Sequence, residues 1–334
     1  MRRRGTSFET ALRLRLERVE LRIGAVLERR PGLSPCACEF VSSGKRLRAR
    51  CLLASARPAG ARAAEDALSG AAAAIELLHA ASLVHDDIVD RCTVRRGRAT
   101  LASVQGSHAA ALAGAYLYHL ALELSADLPE EAQSLLAATA SQVSRGQLAE
   151  LLRAFDVTLT ADERIRVIEE KTASVFGLAC ELGALQSGGS ARLQAALRRF
   201  GGAYGVLFQI ADDVADLYGT TRELGRPPGA DLREGVISLP IALALGAEAG
   251  AEMAALFDGS ANGQFHGALE RCRRLLRVTG ALRRTSEIAR GYAEAAHQAL
   301  DRAEPLPGRQ WMESLVRATL RGIQDRLSGL DGRQ

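Results

Sequence analysis

Six aspartates in two short runs are the residues best suited to chemistry. Ser82-Leu-Val-His-Asp-Asp-Ile-Val-Asp90 carries Asp86, Asp87 and Asp90, and Gln209-Ile-Ala-Asp-Asp-Val-Ala-Asp216 repeats the DDxxD spacing with Asp212, Asp213 and Asp216. Residues four apart share a helix face, so Asp86 with Asp90, and Asp212 with Asp216, each turn two carboxylates to one side. A single run of this kind is equally compatible with a solvated helix surface or an N-cap. These runs, however, are embedded in Leu83, Val84, Ile88 and Val89, and in Phe208, Ile210, Val214 and Leu217. Uncompensated carboxylates beside a core are costly and call for cations nearby. Oxygen-only ligands on rigid helices favour Mg2+, which keeps waters and binds through one or two carboxylates together with phosphate oxygens. All six aspartates are candidate metal ligands.

The basic residues complement such a site. Gly44-Lys45-Arg46-Leu47-Arg48 precedes the first run, Arg95-Arg96-Gly97-Arg98 follows it, and Lys171-Thr172 lies between the two runs. Of 43 basic residues only Lys45 and Lys171 are lysine. In a chain that uses arginine by default, a retained lysine points to a need for a compact, flexible ammonium. Metal on one set of oxygens, with arginine forks and a lysine point charge on another, suits a substrate bearing phosphates. His79 lies two helical turns before Asp86, on much the same face, and is placed to donate to a diphosphate oxygen. His85 borders the acidic run and has no assigned role.

The ordered set of motifs resembles one family. From about residue 40 to 245 come Gly44-Lys-Arg-Leu-Arg48, Glu76-Leu-Leu-His79, the first DDxxD, Arg95-Arg-Gly97, Gly146-Gln147, Lys171-Thr172, Phe208-Gln209 with the second DDxxD, and Asp231-Leu-Arg-Glu-Gly235 before Leu239-Pro240. Together they resemble the trans-polyprenyl diphosphate synthases. The resemblance implies an all-α fold of the isoprenoid synthase type, a helical bundle around a deep central cavity, and a homodimer, with a hetero-oligomer as the alternative. It implies that the two acidic runs hold about three Mg2+ ions on the diphosphate of an allylic substrate. Lys171, Thr172, Gln209 and Arg95 match positions on that allylic side. Lys45, Arg48, His79 and Arg96, with the backbone of Gly44, match the site for isopentenyl diphosphate. Asp86, Asp90, Lys171 and Asp212 are then expected to carry the ionisation of the allylic C–O bond, with metal and cationic side chains stabilising the leaving diphosphate. The double bond of isopentenyl diphosphate attacks the allylic cation, a proton is lost to the released diphosphate, and a dry cavity protects the cation.

Product length follows from the helix before the first run. A growing tail would pass Ser82 and Ala81, then Leu78, at about 5.4 Å per turn. In the family a bulky aromatic four or five residues before the first DDxxD ends the chain early. Leu68 to Asp90 contains no Phe, Tyr or Trp, so a product of C20 or longer is expected, with Tyr116 and Tyr118 as candidates to close the cavity further down. Three positions depart from the family. Arg226 stands for a lysine and keeps its charge, Val236 stands for a second lysine and does not, and Gly114-Ala115 replaces Gly-Asp. These departures keep two alternatives open: a class I terpene cyclase on the same scaffold, or a non-catalytic partner subunit.

Helices must position all of this. The 334 residues are 47% hydrophobic with 1 Trp, 5 Tyr and 8 Phe, and their alanine- and leucine-rich stretches with few prolines favour helix over strand. Helical periodicity runs through about 12–27, 44–56, 61–92, 101–125, 130–154, 161–187, 191–218, 236–246, 263–303 and 309–328. Thr160 with Glu163 reads as a capping box. No break is long or biased enough to be a linker, so residues 1–334 are expected to form one domain, with 1–6 as a flexible tail. A net charge of +4, with arginines interspersed among acids, argues against nucleic acid as a partner. Arg2, Arg3 and Arg4 lack the apolar run of a signal peptide, and no window has the uninterrupted apolar length of a membrane span, so a soluble cytoplasmic protein is expected. Six cysteines without a CxxC pair read as small buried hydrophobes.

Overall fold

In the computed structural model, which describes residues 3–29, 32–58, 62–95, 97–261 and 267–328, the apolar helical runs fold as expected into an all-α architecture. The order is α1 (Arg3–Arg29), α2 (Pro35–Ser42), α3 (Leu47–Ser55), α4 (Arg62–Val89), a hairpin of β1 (Val94–Arg95) and β2 (Arg98–Ala99), α5 (Leu101–Gln105), α6 (Ser107–Ser125) and α7 (Glu130–Leu152). Then come α8 (Ala161–Ile168), a π-helical turn (Glu169–Ala173), α9 (Ser174–Gln186), α10 (Ala191–Tyr218), α11 (Thr221–Leu224) and α12 (Ala230–Glu234). Helices α13 (Leu239–Leu245), α14 (Gly250–Ala261), α15 (Ala268–Val278), α16 (Ala281–Asp301) and α17 (Arg309–Ser328) complete the chain.

The two acidic runs sit on the two longest helices, α4 and α10. Helix α4 is apolar nearly all round: Leu68, Ala71 to Ala74, Ile75, Leu77 and Ala81 are fully enclosed, as expected of a helix inside a core. By length and composition Ala64–Val89 would pass for a membrane span, yet 78% of its apolar window is buried among other helices. It packs on α6, α1 and α3, whereas α10 packs on α9, α16 and α17. One hydrophobic core joins them, reaching from Leu12 to Leu327.

Several boundaries differ from the periodicity. Helix α1 begins at Arg3, inside the span expected as a flexible tail. Helix α2 was not anticipated; Ser34 caps it by accepting from the Ala37 N–H, and Pro35 opens it. The 44–56 segment starts its helix only at Leu47, because Arg46 takes a left-handed conformation (φ 49°). The 161–187 run is interrupted by the π turn, and the 263–303 run breaks between α15 and α16. The Thr160–Glu163 capping box is formed. All six cysteines are free; Cys51, Cys180 and Cys272 are buried, while Cys36, Cys38 and Cys92 are only half-buried, contrary to the expectation for all six.

Candidate active site

The first acidic run closes α4. Asp86 and Asp87 lie in its last turn, and the Asp90 N–H still donates to the Asp86 carbonyl (2.8 Å) before Arg91, at φ 49°, ends the helix. The hairpin then folds Arg95 back, so that its Nε donates to Asp87 Oδ1 at 2.6 Å. Asp87 is 1% exposed and Asp86 8%. One oxygen of each, Asp86 Oδ1 and Asp87 Oδ2, is buried with no hydrogen-bond partner. Burial pushes both carboxyls up, with Lys171 and Arg95 opposing the shift at Asp86, and Arg95 at Asp87. Asp90 is pushed up to about 6 by burial, which Lys171 resists and Asp86 reinforces.

Across from this run stands the π turn. Its wide backbone displays Lys171 and Thr172 side by side, and such turns recur at functional sites. Lys171 Nζ donates to Glu150 Oε1 of α7 and lies 3.9 Å from Asp86 Oδ2. The α7 backbone comes so close that a Cβ on Gly146 would lie 2.6 Å from the Lys171 nitrogen, which accounts for the glycine of the Gly146-Gln147 pair. Thr172 Oγ1 donates to Gln209 Oε1 (2.9 Å), and Gln209 Nε2 donates to Asp213 Oδ1 (2.9 Å).

The second acidic run divides its labour. Asp212 keeps accessible surface, although its surroundings are enclosed enough for burial, together with Asp213, to push its carboxyl up. Asp213 is fully enclosed; besides Gln209 it accepts from the Leu239 N–H (3.1 Å) at the start of α13 and lies 3.6 Å from Arg164 Nη2. Asp216, 3% exposed, accepts from the Ala230 and Asp231 N–H groups that open α12 and from Arg226 Nη2 (3.1 Å). Arg226 also reaches Asp231 (3.4 Å) and Glu234 (3.9 Å). Burial and the field of Asp90 push Glu234 up to about 7. The fold brings the two runs near enough for their charges to act across the gap in sequence: Asp90 raises Glu234, and Arg95 opposes the rise of Asp212.

The second basic group is only partly gathered. Gly44 and Lys45 are exposed, and His79 is half-buried on α4. Arg48 lies over the Phe176 ring (4.8 Å), whose centroid is 5.3 Å from that of Phe208, next to Gln209. Arg96 lies outside the described residues. Arg46 is taken up by acids of α1 and α4: it is 5% exposed, bonded through two nitrogens to Glu20 (2.7 and 2.9 Å) and 3.7 Å from Glu76. Glu76 in turn accepts from the Ala49 N–H (2.9 Å), so this pair anchors the loop that presents Lys45 and Arg48. A cavity of about 280 Å3 opens between α10 and α17, lined by Tyr204, Phe208, Asp212, Thr319 and Arg326 among others.

The chain-length expectation is modified. Ala81 is fully enclosed and Leu78 is 4% exposed, so no open channel runs past them among the described residues; Ser82 alone of the three keeps surface. Tyr118 stands beside the first run, not further down: its ring stacks on His85 (centroids 5.8 Å apart).

No group of three or more His, Cys, Asp or Glu side chains converges to hold a metal alone among the described residues. The donor set nevertheless suits Mg2+: orphaned, buried carboxylate oxygens on a rigid helix, in ones and twos, leave coordination positions for water and phosphate. Against known proteins, a family model described as Polyprenyl synthetase matches residues 32–267. The chain belongs to that family. The nonaprenyl diphosphate synthase of Mycobacterium tuberculosis is 35% identical over 284 residues, 84% of each chain. A decaprenyl diphosphate synthase from Rhodobacter capsulatus superposes with a TM-score of 0.82 at 28% identity, over 95% of this chain and 99% of that one. A polyprenyl synthase from Caulobacter crescentus, complexed with calcium and isoprenyl diphosphate, gives 0.82 at 30% identity over 94% and 97%. In this polyprenyl synthetase, sequence reasoning passed over Glu150 and Arg164. Glu150 is one turn from Gly146 on the same face, a signal that was available; Arg164 follows a capping box in a charged helix and reads there as solvated.

Proposed function

We propose that this polyprenyl synthetase condenses isopentenyl diphosphate with an allylic diphosphate to give a linear trans-polyprenyl diphosphate of C20 or longer. The observation that carries this reading is that folding gathers both acidic runs with basic partners, Arg95 on Asp87, Lys171 beside Asp86 and Arg226 on Asp216, while Arg48 of the second basic group lies over Phe176. Asp86, Asp87, Asp90 and Asp212 are the residues that hold Mg2+, because Asp213 and Asp216 already spend their oxygens on protein donors. Bound Mg2+ supplies Lewis-acid neutralisation of charge on the diphosphate oxygens. Lys171 and Arg95 fix the allylic diphosphate and stabilise its charge as it leaves. Arg48, Lys45 and His79, joined by Arg96, orient isopentenyl diphosphate, and the apolar residues that surround the two runs keep water from the cation. The chain acts as a homodimer through α6 and α7, whose Leu112, Leu122, Leu148, Leu151 and Leu152 are exposed.

Incubation with Mg2+, isopentenyl diphosphate and dimethylallyl, geranyl, farnesyl or geranylgeranyl diphosphate, with products read by mass, tests this. Elongated linear products support it; a cyclic hydrocarbon formed without isopentenyl diphosphate, or turnover only with a second related chain, would overturn it. Because Ala81 has no space around it, Ser82→Phe is the better test of tail direction, and it should shorten the product. Light scattering on the eluting protein reads the oligomer.

A further inference from the structure

Arg164 is 3% exposed and bridges two helices. Its Nη1 donates to Glu150 Oε2 on α7, and its Nη2 lies 3.6 Å from Asp213 Oδ1 on α10. Glu150 Oε1 takes the Lys171 ammonium, Asp213 Oδ1 takes Gln209 Nε2, and Gln209 Oε1 takes Thr172 Oγ1. Since Thr172 follows Lys171 in the chain, these contacts close into a ring: Lys171, Glu150, Arg164, Asp213, Gln209, Thr172. A planar fork reaches the two carboxylates through separate nitrogens in a fixed geometry, whereas a lysine would bring both to one compact, rotatable ammonium. Arg164 Nε is buried without a partner, a local cost that points to placement and not stability as what this residue serves. Burial would raise Glu150, yet Lys171 and Arg164 hold it at about 2, so it stays an anion on which Lys171 can be fixed.

We propose that Arg164 is a positioning residue for the allylic half of the site: by clamping Glu150 and Asp213 it aims Lys171 at the Asp86 side and keeps Asp213 away from metal, without touching substrate itself. This rests on the synthase reading above. The test is a double-mutant cycle, Arg164→Gln, Lys171→Met and both, in the full-length protein, read by equilibrium binding of inorganic diphosphate with Mg2+ and by KM for the allylic and isopentenyl substrates. Arg164→Gln should weaken diphosphate binding and raise the allylic KM about tenfold, leave the isopentenyl KM within about twofold, and add little in the Lys171→Met background. Arg164→Lys, which keeps charge without the fork, should lie between and serves if the glutamine variant does not fold. Unchanged diphosphate binding in Arg164→Gln, or effects that simply multiply with those of Lys171→Met, would overturn the proposal. The binding cycle reads without turnover, so wild-type protein that binds diphosphate but never elongates would sink the synthase reading alone.

Discussion

Asp87 illustrates how much one side chain is asked to do. Its Oδ1 is spent on Arg95 and its Oδ2 is unpaired, so the arginine neutralises the carboxylate while leaving one oxygen for a cation. Removing Arg95 leaves that charge buried and uncompensated. Arg95→Ala is therefore expected to cost about 3 kcal/mol of stability in the absence of metal, and less in an Asp87→Asn background, where no charge remains to be paired. Denaturant unfolding of the two single variants and the double reads this directly; equal losses in both backgrounds would show that the pair is not what holds the hairpin. The lysine bias proved informative in unequal measure. Lys171 sits inside a network of buried charge, whereas Lys45 is exposed, and nothing in composition separates these two situations.

At the scale of elements, the site depends on one close backbone approach, that of α7 to the π turn. The π turn brings Lys171 and Thr172 forward together, and Gly146 lets α7 reach it. A methyl there would lie 2.6 Å from Lys171 N and 2.9 Å from its Cα, both backbone atoms that cannot rotate away. Gly146→Ala should thus destabilise by about 1–3 kcal/mol and lower turnover more than its loss of stability explains, since the displaced atoms carry Lys171. Turnover measured well below the unfolding midpoint separates the two effects, and activity equal to wild type under those conditions would count against it. Periodicity located α4, α7, α10 and α17 because long apolar faces dominate their energetics. It could not locate the π turn, whose extra residue leaves no mark on hydrophobic spacing, nor the start of α3, which Arg46 fixes through distant Glu20 and Glu76. Tertiary partners decide those features, and they appear only when the chain is folded.

For the whole molecule, folding gathers acids faster than bases at one place. Asp86, Asp87, Asp90, Asp212, Asp216, Asp231 and Glu234 are all shifted up, each chiefly by burial. The runs come from helices far apart in sequence, so this crowding is a property of the assembled fold. Its sign can be worked out. Asp90 rises from 3.8 to about 6 and Glu234 from 4.5 to about 7, so the folded state takes up protons more readily than the unfolded chain, and stability is gained as pH falls through about 7 and about 6. Glu150 runs the other way: held at about 2 against an ordinary 4.5, it contributes fully above 4.5 and loses its effect only as pH falls toward 2. Metal-free protein is accordingly expected to unfold at a higher temperature near about pH 5.5 than near about pH 8. Mg2+ with inorganic diphosphate should raise the midpoint most at the higher pH, where the ionised carboxylates gain the cation they lack, and so flatten the profile. Unfolding midpoints across this range, with and without metal and diphosphate, provide the check; a metal-free midpoint that falls steadily on acidification from pH 8, or a metal increment independent of pH, would contradict an acidic cluster that folding assembles at a cost and cations relieve.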